Sequence, residues 1–189
     1  MRNIAVFASG NGTNAENIIK YFKNSPIAKV VLIVCNNIEA AIIEKSKKHQ
    51  IPTLIVNNES LSKPDDLLEK LEKDSIDLIV LAGFLKKLPA ALIERYPERI
   101  INIHPALLPK FGGKGMYGMK VHDAVKNAGE KISGITVHYV NEHYDEGNII
   151  EQINIDLHEN DQASDIFHKV QKLEHTYYPR IIENLIKEL

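Results

Sequence analysis

Short runs rich in valine and isoleucine alternate with longer stretches of helical periodicity in this 189-residue chain, and that alternation limits the fold more than any other feature. The apolar runs fall at residues 4–8, 30–35, 53–56, 78–82 and 100–103, with the helical stretches between them at 14–22, 39–49, 65–71 and 89–94. Strand, crossing helix and strand make a βαβ unit, so the pattern predicts a parallel sheet covered by helices. The runs are apolar at nearly every position, as burial on both faces requires. After residue 103 the pattern changes: residues 105–117 hold two prolines and three glycines, a short helix is expected at 121–127, and alternating runs follow at 132–140 and 148–155. These later runs predict the other half of the sheet, partly antiparallel. Residues 162–189 read as a closing helix with Ile166, Val170, Leu173, Tyr177, Ile181 and Leu185 on one face. Pro179 is expected to kink or divide it.

No repeat, low-complexity segment or linker marks a boundary, so a single domain is expected over 1–189. Its halves are residues 1–100, a phosphate-binding βαβ half, and residues 101–189, a catalytic half. Twenty-five acidic residues against twenty-three basic ones give a formal charge of −2 without long runs of one sign, which argues against nucleic acid as a partner. The apolar runs are too short to span a bilayer, and Met1-Arg2-Asn3 leads into a strand rather than a signal sequence. The expected setting is the cytoplasm, away from membranes. The one cysteine, Cys35, lies in an apolar run and is expected to be a small buried hydrophobe.

Ser9-Gly10-Asn11-Gly12-Thr13-Asn14 joins the first strand to the first helix. Glycines there let backbone amides approach an anion, and the helix N-terminus adds positive potential, so the loop is a candidate phosphate cradle. A dinucleotide would also need an acidic residue about 20 positions on, and the second strand ends in Asn36 and Asn37 instead. The structural alternative is a tight turn with Thr13 or Asn14 capping the helix.

A second cluster lies at the end of the fifth strand, Ile101-Asn102-Ile103-His104-Pro105. Side chains alternate along a strand, so Asn102 and His104 share one face at its carboxyl end, where open α/β sheets bind ligands. An amide there can donate to an oxyanion, and an imidazole can shuttle a proton. Asp145, in the loop between the two late strands, is the candidate third member. A carboxylate beside His104 would raise its pKa and keep it cationic. The other histidines lack metal-ligand spacing, so no metal is expected. A nucleophile elbow is also absent.

Five motifs in order then carry a family resemblance: Ser9-Gly10-Asn11-Gly12-Thr13-Asn14; Leu81-Ala82-Gly83-Phe84; Asn102-Ile103-His104-Pro105-Ala106-Leu107-Leu108-Pro109; Gly134-Ile135-Thr136-Val137-His138 with Asp145-Glu146-Gly147; and Gln171-Lys172-Leu173-Glu174-His175. With these the chain resembles the phosphoribosylglycinamide formyltransferases, folate-dependent transferases of purine biosynthesis. The resemblance implies a Rossmann-like α/β fold, a mostly parallel twisted sheet with helices on both faces and a partly antiparallel C-terminal half. It implies 10-formyltetrahydrofolate as co-substrate, with the amine of glycinamide ribonucleotide attacking the formyl carbon. Asn102, His104 and Asp145 take the catalytic positions; Gly12, Thr13 and Asn14 hold substrate phosphate, and Glu174 lies near the glycinamide.

By the same resemblance, Asn102, Leu85, Lys86, Lys87, Leu88, Asn141, Glu142, His143 and Tyr144 contact the folate. Where many relatives carry an arginine near the third helix this chain has Ser62-Lys63-Pro64-Asp65, leaving Lys63 as the substitute. The loop through Phe111-Gly112-Gly113-Lys114 is rich in glycine and is expected either to cover the site, with Lys114 meeting an anion, or to be an ordered turn. Glu146 stands where some relatives have glycine. Leu108–Pro109 is expected to be cis. Two relatives of the same constellation, methionyl-tRNA formyltransferase and formyltetrahydrofolate deformylase, carry an additional module, which this length does not accommodate. A non-catalytic nucleotide-binding module is the alternative from another class. The protein is expected to act on small molecules as a monomer or homodimer.

Overall fold

A computed structural model describes all 189 residues. Its elements follow the order β1 (Arg2–Ala8), α1 (Thr13–Phe22), β2 (Ala28–Cys35), α2 (Ala41–Lys48), β3 (Thr53–Ile55), α3 (Asn58–Ser62), α4 (Asp65–Lys73), β4 (Leu78–Leu81), α5 (Ala90–Arg95), β5 (Ile100–His104), α6 (Met119–Asn127), β6 (Ile132–Tyr139), β7 (Ile149–Asp156) and α7 (Ala163–Glu188). The strands form one sheet in the order β3-β2-β1-β4-β5-β6-β7. Pairs β1–β2, β1–β4 and β2–β3 are parallel, and β6–β7 is antiparallel. This is the α/β architecture expected, with its antiparallel part at the C-terminal end.

Two compact units divide the chain, Met1–Ile101 with Ile181–Leu189, and Asn102–Arg180. In the first unit, β1 and β4 are buried along almost their whole lengths, which is why their sequences lack polar alternation. Helix α1 buries Ala15, Ile18, Ile19 and Phe22, a spacing of three, four and seven residues that makes one apolar stripe. Cys35 is fully buried, and its thiol donates to the Asn37 carbonyl at 3.2 Å. Arg2 ties both ends of the chain into this unit, pairing with Asp77 at 2.9 Å and donating to the Leu189 carbonyl.

The second unit packs Val121 and Val125 of α6, Ile135 and Val137 of β6, and Ile166, Val170 and Tyr178 of α7 as its core residues. β7 is an edge strand, and only Ile150, Ile153 and Ile155 along it are partly covered. Helix α7 runs without interruption through Pro179 rather than dividing there. Its buried face also differs from the expected one in its later turns: Tyr178, Ile182 and Ile186 are buried beside Ile181, while Leu173, Tyr177 and Leu185 are only partly covered. A stripe recurring every 3.6 residues drifts around a long helix, so a face extrapolated from the first turns slips by one position.

Candidate active site

Within the first unit, the glycine loop brings α1 in without a side-chain cap. Gly12 occupies the N-cap position at φ 63°, and neither Thr13 nor Asn14 caps the helix. A side chain at Gly12 would strike Ile42, whose Cβ and Cδ1 lie 2.6 Å from where its Cβ would stand, so both backbone and packing require glycine. Ser9 anchors the loop base: its hydroxyl donates to Asn36 Oδ1 and accepts from the Leu85 amide at 2.8 Å, while its own amide donates to the Gly83 carbonyl at 3.1 Å. Asn36 therefore serves the loop where a dinucleotide site would carry an acid. Leu85, Lys86 and Lys87 are exposed and Leu88 is buried; Lys63, at the end of α3, is exposed.

The second unit brings Asn102, His104 and Asp145 together. Asn102 and His104 leave β5 on the same face, and Asp145 reaches both from the loop joining β6 and β7. Asn102 Nδ2 lies 3.5 Å from Asp145 Oδ1, and His104 Nδ1 lies 3.5 Å from Asp145 Oδ2. The Gly113 amide donates to Asp145 Oδ2 at 2.9 Å. His104 is 3% exposed, so its contacts define its chemistry. Its Nε2 lies 2.7 Å from the Phe111 carbonyl, which can only accept; the ring proton is therefore on Nε2, and Nδ1 is the basic atom facing Asp145. Thus the glycine-rich loop touches the site through two backbone groups, whereas Lys114 is exposed. Leu108–Pro109 is cis, as the resemblance implied.

The charge balance differs from expectation. Burial holds the His104 imidazole below its ordinary pKa, outweighing the upward pull of Asp145 and the Phe111 carbonyl. His104 is therefore neutral near pH 7 rather than kept cationic, because a desolvated imidazolium loses more hydration than one carboxylate at 3.5 Å restores. For Asp145, burial acts upward, but His138, His104 and the Gly113 amide together bring its carboxyl below the usual range.

Sequence reasoning missed two polar residues of β6. His138 is 2% exposed, with Nδ1 2.8 Å from the Tyr139 carbonyl and Nε2 3.1 Å from Asn102 Nδ2. Thr136 is fully buried: its hydroxyl accepts from the Leu108 amide at 3.0 Å and from Gln152 Nε2 at 2.9 Å, and donates to the Ala106 carbonyl at 2.7 Å. It thereby pins the chain that leaves His104. Alternation of Thr136 and His138 with Ile135 and Val137 looks like a solvated strand face, so the signal was present but carried the opposite sign. Of the remaining expected residues, Asn141, Glu142, His143 and Tyr144 are exposed, with Asn141 Oδ1 accepting from the His143 amide at 2.8 Å. Glu174 is half-buried on α7.

A sheet strand that ends in an amide and an imidazole facing a loop carboxylate sets a hydrogen-bond donor beside a proton-accepting ring at the carboxyl end of an α/β sheet. Residues 2–182 match the family described as formyl transferase, and the chain belongs to that family. Among its relatives, phosphoribosylglycinamide formyltransferase of Bacillus subtilis is 38% identical over 98% of this chain and 95% of its own length. The chloroplastic phosphoribosylglycinamide formyltransferase of Arabidopsis thaliana is 38% identical over 99% of this chain, which spans 66% of that protein. The crystal structure of phosphoribosylglycinamide formyltransferase from Bacillus halodurans superposes with a TM-score of 0.89, at 33% identity, over 98% of this chain and 95% of that one.

Proposed function

We propose that the protein transfers the formyl group of 10-formyltetrahydrofolate to the amine of glycinamide ribonucleotide, a step of purine biosynthesis. The observation that carries this reading is the convergence of Asn102, His104 and Asp145 in one partly buried cluster. The amine nitrogen attacks the formyl carbon, its new C–N bond forming as the carbonyl electrons move onto oxygen. An Asn102 Nδ2–H donates to that oxyanion. Neutral His104 takes the amine proton at Nδ1, and Asp145 stabilises the resulting imidazolium at the moment it forms. Collapse of the oxyanion breaks the bond to the folate nitrogen, which leaves with the proton returned by His104. The glycine loop at Gly12, Thr13 and Asn14 suits the substrate phosphate, because α1 opens there on a glycine N-cap with no side-chain cap hydrogen bond. Glu174 offers a carboxylate for the glycinamide, and the segments at Leu85–Leu88, with Lys63, and Asn141–Tyr144 are the folate contacts in this reading.

The test is formyl transfer by purified protein, with glycinamide ribonucleotide and water compared as acceptors. Transfer to the ribonucleotide is expected, and Asn102→Ala should lower turnover about 10²- to 10³-fold, the usual cost of one oxyanion donor. Release of formate without transfer would overturn the reading in favour of a deformylase.

A further inference from the structure

We propose that His138 is a positioning residue that fixes the orientation of the Asn102 amide; this rests on Asn102 being the oxyanion donor. His138 Nδ1 lies 2.8 Å from the Tyr139 carbonyl, an atom that only accepts, so Nδ1 carries the proton. In that neutral tautomer Nε2 carries a lone pair, which faces Asn102 at 3.1 Å and demands a donor there. Only the Nδ2 end of the Asn102 amide can answer it, which decides the flip of that side chain on chemical grounds.

The amide's other N–H then points toward Asp145. Its 3.5 Å separation from Oδ1 is at the long limit of a hydrogen bond, leaving this donor free to turn to a stronger acceptor. A developing oxyanion beside Asp145 is such an acceptor. If Nε2 did not hold the amide, Asn102 could rotate by half a turn and present its carbonyl, a lone pair, to the same oxyanion. The long contact with Asp145 is too weak to prevent that by itself.

The backbone around the ring is built for this role. A Cβ on Gly147 would fall 1.7 Å from the Tyr139 carbonyl oxygen and 3.5 Å from His138 Nδ1. The loop that carries Asp145 therefore closes against the very carbonyl that receives the His138 proton, and it does so only because residue 147 has no side chain. Ring, amide and carboxylate share one anchor. His138 Nε2 also lies 3.7 Å from Asp145 Oδ1, longer than its 3.1 Å contact with Asn102, so Asn102 is its nearer partner.

Steady-state formyl transfer by His138→Leu, His138→Gln, Asn102→Ala and the Asn102→Ala/His138→Leu double variant tests the proposal, with thermal unfolding to verify folding. His138→Leu should lower kcat by about 10- to 10²-fold, below the full cost of losing the donor, with KM nearly unchanged. His138→Gln should recover most of that loss, because its Oε1 can accept the same Asn102 N–H. The double variant should be no slower than Asn102→Ala alone. Multiplying losses in the double variant, or no gain from glutamine over leucine, would overturn the positioning role while leaving Asn102 as the donor. Wild-type turnover in Asn102→Ala would instead remove the reading on which the proposal stands.

Discussion

His104 shows how burial rather than a neighbouring charge decides the charge state of an imidazole at a strand end. Its pKa is lowered by desolvation, against the upward influence of Asp145 and the Phe111 carbonyl. On the proposed mechanism, the base for the amine proton is therefore already present at neutral pH, and the cation exists only during the reaction. Turnover should accordingly be flat near pH 7 and fall on the acid side, along a limb set by the coupled His104–Asp145 pair at a pH below the ordinary imidazole value. Asp145→Asn removes the charge that favours the imidazolium, so in that variant the limb should move to still lower pH while the plateau drops. A pH–kcat series on both proteins checks this. Movement of the limb toward higher pH would mean that Asp145 does not face the imidazole in the working enzyme.

Among the elements, β6 does the most to hold the site in place, because Thr136 ties Ala106 and Leu108 to it by two hydrogen bonds and accepts a third from Gln152. Thr136→Val keeps the shape but leaves the buried Leu108 amide without its acceptor, which should cost about 1–3 kcal/mol in urea unfolding. Gln152→Ala should cost less, since Gln152 is exposed; equal losses would show that Thr136 is not the hub. The strands were legible because burial on both faces writes uninterrupted apolar runs, as in Ile4 to Ala8 and Leu78 to Leu81. Asn102 and His104 were legible for another reason: two polar residues break the apolar pattern on one face of β5. Helix α3 was not, since its five residues depend on a local capping box between Asn57 and Ser60 rather than on periodicity. Thr136 and His138 escaped because hydrogen bonds to backbone atoms distant in sequence make their burial tolerable, and spacing along one strand carries no record of those partners.

For the molecule as a whole, a pH-dependent strain near neutrality resides in a group outside the proposed chemistry. His122 on α6 is 2% exposed, stands edge-to-face on Phe167 with ring centroids 5.5 Å apart, and has no partner for Nδ1. Burial pushes its pKa from 6.5 down to about 4; Asp123 acts upward and His104 downward. In the unfolded chain the ring binds a proton below about pH 6.5, whereas in the folded protein it stays neutral until about pH 4. Protons therefore favour the unfolded state throughout that interval. The contribution of His122 is intact above pH 6.5, is lost progressively as pH falls toward 4, and changes no further below it. The shift corresponds to a loss of up to about 3 kcal/mol. His104 adds to the same trend, while the lowered carboxyl of Asp145 withdraws its own support only at more acid pH. Replacing His122 by leucine removes the ionisable ring from an apolar setting. Urea unfolding at pH 7 and pH 4.5 should then show a markedly smaller drop in stability for His122→Leu than for the wild type. An identical drop in both proteins would mean that His122 is solvated in the folded state and that acid sensitivity arises elsewhere.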